Sequence, residues 1–223
     1  MRKIINCRIF QTCFIKIVIH IFIIFWAHPK SISLLNSFNI VLILDNTYKI
    51  NRYKWPLLEV VGHTSTEKSF TIAFSYMELE QYPNFLWALQ YLKRLMKDVH
   101  AMPKVIVSDF EGALVHAIET VFPTSTHLLC QFHIKKNVKG NFKNYVRDPD
   151  DESLLIDAWV KQVDSKDEDE YETSLLSQFE KLCQNSIGLL EYVNRVYLAE
   201  QKEKFFDAWT NMHMPLGNTT SNR

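Results

Sequence analysis

Glycine is scarce in this chain of 223 residues: it occurs five times, and no stretch is rich in Gly and Ser or of low complexity. A flexible linker or a disordered protein is therefore excluded as the class of the whole chain. Hydrophobic residues make up 47% and aromatic residues 13% of the sequence. Because this composition can bury a sizeable core, we predict one domain with an insertion.

An excess of charge of either sign is also absent, because 25 Lys and Arg residues balance 25 Asp and Glu residues. A globally basic nucleic-acid-binding protein is not indicated, so any contact with DNA has to come from local basic patches. The four cysteines, Cys7, Cys13, Cys130 and Cys183, lack the spacing of a disulfide framework. Their pattern favours a reducing compartment.

No uninterrupted apolar run reaches the ~20 residues that a membrane-spanning helix needs. A charged start followed by the apolar run Ile17–Phe25 resembles a signal peptide, but Lys16 and His20 break the apolar pattern. No small-residue cleavage pattern follows it. We therefore interpret residues 1–24 as an atypical leader, and membrane association is not expected. Secretion or membrane anchoring through this segment is the alternative.

Two apolar stretches each lead to a carboxylate. Asp45 follows Asn39–Leu44, and Asp109 follows Lys104–Ser108. Both stretches have the composition of buried parallel strands, whose carboxyl ends are where open α/β sheets place ligand chemistry. If the strands are neighbours, the two carboxylates converge, and a divalent Mg or Mn ion would keep both ionised. The alternative for an Asp at a strand end is an ordinary helix N-cap.

Along the rest of the chain, hydrophobic periodicity predicts strands and helices in an α/β arrangement, followed by a C-terminal part that contains only helices. Asn84 is the predicted N-cap of the first long helix, and Pro123 ends the second. From periodicity and turn signals, the predicted strands lie at about 40–45, 57–64, 69–77, 104–108 and 126–130. The predicted helices lie at about 84–99, 112–122, 131–146, 153–163, 167–183 and 189–210.

Basic residues suggest two candidate surfaces for DNA. Lys49 and Arg52 follow the first carboxylate closely and could approach the DNA backbone there. The second set is spaced by four, so a helix would align it along one face that suits a phosphate backbone. It consists of Lys135, Lys139, Lys143 and Arg147. For both sets, the alternative is a solvated surface.

Cys130 and His133 form a C-x-x-H pair. One hypothesis is half of a zinc site, but a structural zinc site needs four ligands, usually as two spaced pairs. The sequence shows no second pair. A buried Cys beside a capping or hydrogen-bonded His is the favoured alternative.

Several of these motifs, in this order and at these distances, resemble the transposase domain of Mutator-like elements (MULE). The same domain resembles the far-red-impaired-response group of plant regulators. The resemblance extends from about Phe25 to the last residue. Its motifs are Asp45–Asn51, Trp55–Leu57, Glu59–Gly62, Asp109, Ala113-Leu114, Ala117-Ile118, Phe122-Pro123, Cys130-x-x-His133 and Lys136-Asn137.

The resemblance implies a ribonuclease-H-like fold, an α/β mixed sheet with flanking helices and a C-terminal all-helical insertion. Residues 25–147 would form the transposase core and residues 148–223 the insertion. A DDE-type triad would hold two Mg or Mn ions, with Asp45 matching its first carboxylate and Asp109 its second. The implied partner is transposon-end DNA in the nucleus, with self-association left open and no small-molecule substrate.

The third carboxylate of such a triad is a Glu that follows a motif of the kind seen in Gly217–Arg223, and its expected position is just past Arg223. From this we expect a transposase domain that is truncated or inactive as it stands. The alternative is a non-catalytic, DNA-associated transcription regulator derived from such a transposase.

Overall fold

The computed structural model describes residues 12–18, 21–47, 52–66, 68–98, 102–172, 176–183 and 187–212. The chain divides into two compact units between His127 and Leu128. A β-sheet organises the first unit, and the second is helical. This boundary lies earlier in the chain than the one after residue 147 expected from the sequence.

The first unit is built on a mixed sheet whose spatial order is β1-β2-β5-β4-β3-β6-β7. Each neighbouring pair from β1 to β3 is antiparallel, whereas β3 and β6 are parallel. The chain passes from the first unit into the second within β7. The strands are β1 (Thr12–Val18), β2 (Ile21–Ala27), β3 (Val41–Thr47), β4 (Leu57–His63), β5 (Ser69–Met77), β6 (Val105–Ser108) and β7 (Thr126–Leu129).

The predicted α/β mixed sheet with flanking helices is confirmed, and its order is consistent with a ribonuclease-H-like arrangement. The predicted meander of β3, β4 and β5 pairs antiparallel as expected. The end of the first strand was predicted wrongly, because β3 continues beyond Asp45 to Thr47. Asp45 therefore lies within a paired strand, opposite Glu59, rather than after its end.

The described part of the presumed leader forms strands of this sheet. β2 lies between β1 and β5, and Ile23 and Phe25 on it are buried. Its opposite face is apolar too, because the Trp26 ring lies 5.2 Å from that of Phe74. A strand that is apolar on both faces has a continuous hydrophobic sequence, which explains its likeness to a leader. Among the described residues, no helix is long and apolar enough to span a membrane.

Three helices accompany the sheet in the first unit, α1 (Pro29–Ser37), α2 (Tyr82–Arg94) and α3 (Gly112–Val121). The main core joins apolar residues of all three to one face of the sheet, including Leu42, Leu44 and Ile106. By alternation, Ile43 and Val107 point to the opposite face.

The predicted cap of α2 was wrong. Gln81 is the N-cap residue, while Asn84 is buried inside the helix and its Nδ2 donates to the Leu79 carbonyl at 2.8 Å. Pro83 explains the shift, because proline is favoured in the first turn of a helix and places the cap before it. The helix also ends earlier than predicted, at Arg94.

After β7, the regular elements among the described residues of the second unit are all helices, joined by turns and irregular segments. Within the predicted helix 189–210, the described chain is helical without a gap up to Lys204, changes between helix types, and is interrupted before Asp207. Of the predicted helix 167–183, the described residues include two α-helical segments. The α-helices are α4 (Gln131–Phe142), α5 (Pro149–Val163), α6 (Glu168–Glu170), α7 (Leu176–Leu182), α8 (Ile187–Val193), α9 (Ala199–Gln201) and α10 (Asp207–Thr210). A π-helical segment (Asn194–Leu198) follows α8, and a 3₁₀ turn (Lys202–Lys204) follows α9.

Buried hydroxyl and thiol groups make the helical unit sensitive to alkali. Burial raises the pKa of the Cys183 thiol and of the Tyr171 hydroxyl to about 12, and burial also raises the pKa of Tyr197. In the unfolded chain these groups lose their protons first, near their ordinary values of 9.0 and 10.0. The unfolded state then binds fewer protons than the folded state, so the free energy of unfolding falls as pH rises.

We therefore expect the free energy of unfolding to decrease as the pH rises above about 9, where the thiol and hydroxyl groups of the unfolded chain begin to ionise. Urea unfolding followed by far-ultraviolet circular dichroism between pH 8 and 11 measures this loss. Because the Cys183 thiol titrates first in the unfolded chain, Cys183→Ala should flatten the curve between pH 9 and 10. A stability that stays constant up to pH 11 would contradict the expectation.

Candidate metal centre and nucleic-acid interface

The two predicted carboxylates lie side by side at one edge of the sheet. In the parallel pair of β3 and β6, Leu44 is the partner of Ser108. Asp45 and Asp109 each follow by one residue, so they continue the same register. Because side chains alternate along strands, both lie on the face opposite the main core. The prediction that Asp45 and Asp109 converge depends on this strand pairing. From the sequence alone, the pairing was an assumption.

Neighbouring donors orient both carboxylates. The backbone N–H of Asn46 donates to Asp109 Oδ2 at 3.3 Å, and Thr47 Oγ1 donates to Asp45 Oδ2 at 3.3 Å. Asn46 is itself fixed, because its Nδ2 donates to Glu80 Oε1 at 2.6 Å. Both Asp side chains are half-buried. These contacts hold the carboxylate oxygens in place, and carboxylate oxygens are ligands for hard divalent cations.

A capping role does not account for Asp109. Helix α3 begins at Gly112, and its N-cap residue is Glu111, whose Oε2 accepts from the Leu114 N–H at 2.8 Å. For Asp45 the capping alternative fails as well, because strand residues follow it and no helix begins there. Helix N-capping, the ordinary structural role of an Asp at a strand end, therefore explains neither Asp45 nor Asp109.

A third carboxylate on this face was missed by sequence reasoning. Glu59 is the direct antiparallel partner of Asp45, so the two side chains share a face with Cβ atoms about 5 Å apart. Thr71 Oγ1 donates to Glu59 Oε1 at 2.8 Å. The sequence did mark Glu59 as unusual, because it is the one carboxylate among the mainly apolar residues of β4. Its position beside Asp45, however, depends on strand register.

A buried polar pair supports the end of β6. Ser108 Oγ donates to the Asp109 carbonyl at 2.9 Å and lies 2.8 Å from His127 Nε2. Ser108 is fully buried and His127 is 9% exposed, so a substrate cannot reach the hydroxyl. The pair therefore fixes the backbone of Asp109 and does not form a hydrolytic Ser–His site.

The first basic candidate surface is described only in part. Lys49 lies outside the described residues. Arg52 is exposed, hydrogen-bonds to the Tyr53 hydroxyl, and holds its guanidinium 4.6 Å from the centroid of that ring. An arginine above an exposed aromatic ring is available for phosphate contact.

The second candidate surface is not a continuous helical stripe. Helix α4 ends at Phe142, so Lys143 caps it and Arg147 lies beyond its end. The prediction of a single helix through residue 146 was wrong. Lys135 forms an ion pair with Asp164, which neutralises its charge locally. Lys139, Lys143 and Arg147 are exposed, and their DNA contacts stay a prediction.

The C-x-x-H pair opens α4. Cys130 is the N-cap residue and is 2% exposed, and the half-buried His133 ring lies 5.4 Å from that of Phe132. Cys183 is also buried, and burial raises the pKa of its thiol to about 12. A zinc role for Cys130 and His133 stays a prediction.

Comparison with known proteins identifies a family whose matched segment contains these site residues. Residues 41–137, which include Asp45, Asp109, Cys130 and His133, match the family model of the MULE transposase domain. The chain is 31% identical over 134 residues to Protein FAR1-RELATED SEQUENCE 5 of Arabidopsis thaliana, covering 58% of this chain and 16% of that protein. It is 24% identical over 203 residues to Protein FAR-RED IMPAIRED RESPONSE 1 of the same plant, covering 90% of this chain and 23% of that protein.

A further match is a protein named PKS-NRPS hybrid synthetase cheA, from Chaetomium globosum, which is 30% identical over 145 residues. The match covers 65% of this chain and 3% of that protein. The chain thus spans less than a quarter of the length of each of these relatives. The resemblance to the MULE transposase domain is confirmed, and the relatives of the FAR-RED IMPAIRED RESPONSE type agree with it. Together these matches support a transposase-derived family for this chain.

Proposed function

We propose that the sheet unit binds Mg²⁺ or Mn²⁺ through Asp45 and Asp109 and acts on the phosphodiester backbone of DNA, as a MULE-type DDE transposase domain does. The observation that carries the proposal is the placement of these two carboxylates on neighbouring parallel strands. Neither residue serves as a helix cap. The proposal is limited to this domain, because the chain covers only part of its relatives.

The residues present fit a magnesium or manganese ion. Asp45, Asp109 and Glu59 offer only carboxylate oxygens, the ligands that these hard cations prefer. A bound divalent ion would supply charge neutralisation at the phosphate and an activated water or hydroxyl. Asn46 and Thr47 orient the Asp side chains, and Ser108 fixes the backbone of Asp109.

The DNA backbone would be held by local basic residues, since the net charge of the chain is zero. Arg52, Lys139, Lys143 and Arg147 are exposed and suit phosphate contacts that fix position without reading sequence. Such contacts predict binding that weakens steeply with salt. Action on chromosomal DNA would place the protein in the nucleus. For Cys130 and His133, a contribution to zinc binding is the second metal hypothesis.

Manganese affinity tests the metal site directly. We expect Asp45→Asn and Asp109→Asn each to weaken Mn²⁺ binding at least 10-fold in isothermal titration calorimetry, because each removes a charged oxygen ligand. Glu59→Gln should weaken it less, because the proposed site rests on the two Asp carboxylates and Glu59 adds a further oxygen ligand beside Asp45. Glu119→Gln, on the exposed surface of α3, is the matched control and should bind as the parent chain does.

Unchanged manganese affinity in both Asp variants, with circular dichroism showing intact folds, would reject the metal site. Cleavage of labelled DNA should be compared between this chain and a version extended past Arg223 by the Glu that the family resemblance implies. Cleavage in the extended version that Asp45→Asn abolishes would identify a DDE-type triad.

The second candidate function is a non-catalytic, DNA-associated transcription regulator. It is favoured by the similarity to FAR-RED IMPAIRED RESPONSE 1, which covers 90% of this chain. A regulator of this kind would bind DNA equally well in EDTA and in the Asp45→Asn variant. It would also show no metal-dependent cleavage in either length of chain.

A further inference from the structure

The helical unit contains a cleft with a volume of about 690 Å³ that the metal centre does not use. Its lining combines aromatic, charged and small residues, including Tyr145, Tyr192, Arg195, Glu191, Asn194 and Gly188. Concave sites that combine aromatic side chains with a few oriented polar groups are typical of ligand-binding sites. The π-helical segment Asn194–Leu198 supplies two of these residues, and such segments are frequent at functional sites.

Two tyrosine rings form an aromatic surface in this cleft. The centroids of Tyr145 and Tyr192 are 6.0 Å apart with 26° between the ring planes, and Tyr145 is 38% exposed. Asn141 Nδ2 donates to the Tyr192 hydroxyl at 3.0 Å and so fixes the inner ring. The backbone at Gly188 lies close to the outer ring, because a Cβ there would be 3.3 Å from Tyr145 Cε1. Tyr145 therefore presents an ordered, partly exposed ring.

Basic residues line the cleft and flank Tyr145 in the sequence. Arg195 lines the cleft, and within the described part of the chain no hydrogen bond or ion pair engages its guanidinium. Lys143 and Arg147, both exposed, lie two residues before and after Tyr145. Glu191 is four residues before Arg195 and offers an acceptor on the same lining. An aromatic ring between basic residues is the pattern that binds single-stranded nucleic acid, by base stacking and phosphate attraction.

We propose that this cleft binds one unpaired nucleotide of single-stranded DNA, with its base stacked on Tyr145 and its phosphate paired with Arg195. The Glu191 carboxylate would accept a hydrogen bond from an exocyclic amino group of the base. The inference rests on the proposed function only in taking DNA as the partner. A base inside a duplex cannot stack on the Tyr145 ring, so the site selects unpaired DNA.

Fluorescence anisotropy with a labelled mixed-sequence single strand and the matching duplex, in EDTA, tests the site. Tyr145→Ala should weaken single-strand binding about 10-fold and leave duplex binding unchanged, because stacking on one aromatic side chain contributes about 1–3 kcal/mol. Tyr145→Phe keeps the ring and should bind as the parent chain does. Arg195→Gln should weaken single-strand binding and lower the salt slope by about 0.7, the value for one phosphate contact.

Lys181→Gln is the matched control for charge, because Lys181 is exposed in the same unit and does not line the cleft. It should bind the single strand as the parent chain does. If Tyr145→Ala fails to fold, Arg195→Gln still tests the site, because Arg195 is exposed and its replacement leaves the core unchanged. Single-strand binding that survives both Tyr145→Ala and Arg195→Gln would overturn the cleft site, even if duplex binding supports the proposed function. If neither form of DNA binds the parent chain, both proposals fail.

Discussion

Replacing Trp159 by Ala is expected to lower the free energy of unfolding by about 3–5 kcal/mol, the cost of emptying the site of a large buried aromatic side chain. Trp159 is 1% exposed and is the centre of the aromatic core of the helical unit. Its ring lies between 5.6 and 6.4 Å from four other aromatic rings, those of Phe179, Tyr197, Phe205 and Phe206. These partners come from separate short segments, so loss of the ring removes a contact shared by all of them.

The loss is a large fraction of the about 5–15 kcal/mol that stabilises an ordinary domain, so Trp159→Ala should unfold at a much lower urea concentration than the parent chain. Urea unfolding followed by far-ultraviolet circular dichroism measures it. Trp159→Phe is the matched control: it keeps an aromatic ring and removes an indole N–H that has no hydrogen-bond partner among the described residues. We expect Trp159→Phe to cost less than about 1.5 kcal/mol. Equal losses in the two variants would contradict a packing role for the large ring.

Replacing Ile23 by Asp should destabilise the protein by more than about 4 kcal/mol, because it buries an unpaired carboxylate in the sheet core. Ile23 is fully buried and is the strand partner of Met77 across β2 and β5. If residues 1–24 were a leader outside the fold, the same substitution would leave the stability unchanged. The variant therefore separates the two interpretations of the N-terminal segment.

Ile24→Thr is the control for Ile23→Asp. Ile24 is half-buried on the opposite face of the same strand, and Thr keeps the β-branched shape that strands favour. We expect a loss of under about 1.5 kcal/mol. Thermal unfolding of both variants, read by circular dichroism, gives the comparison. A neutral Ile23→Asp would show that β2 does not contribute to the stability of the sheet.

For the metal centre, local sequence patterns predicted the individual residues but not which of them are neighbours. Apolar strands ending near Asp45 and Asp109 were visible in the sequence, since a buried strand needs a continuous run of hydrophobic residues. Their adjacency was a hypothesis, because strand order is a property of the fold. Glu59 was passed over for the same reason: it becomes the neighbour of Asp45 only through the antiparallel register of β3 and β4.

The errors had a common physical origin in competition between local and non-local contacts. Asn84 has a good capping side chain, yet Gln81 precedes the helix and Asn84 is buried. The regular spacing of basic residues after Lys135 predicted one helix, but α4 ends at Phe142 and Lys135 pairs with Asp164. A four-residue period shows that residues could share a helix face; it does not show where the helix ends.

The α/β class, most strand positions, the two candidate carboxylates and the resemblance to a MULE transposase domain could all be predicted from the sequence. These follow from residue type, short-range periodicity and motif order, which are local properties. The folded structure was needed to find that Ile23 belongs to the sheet, that Glu59 lies beside Asp45, and that Tyr145 and Arg195 line one cleft. Each of these depends on residues distant in the chain, whose contacts form only when the packing of the whole fold repays the entropy of bringing them together.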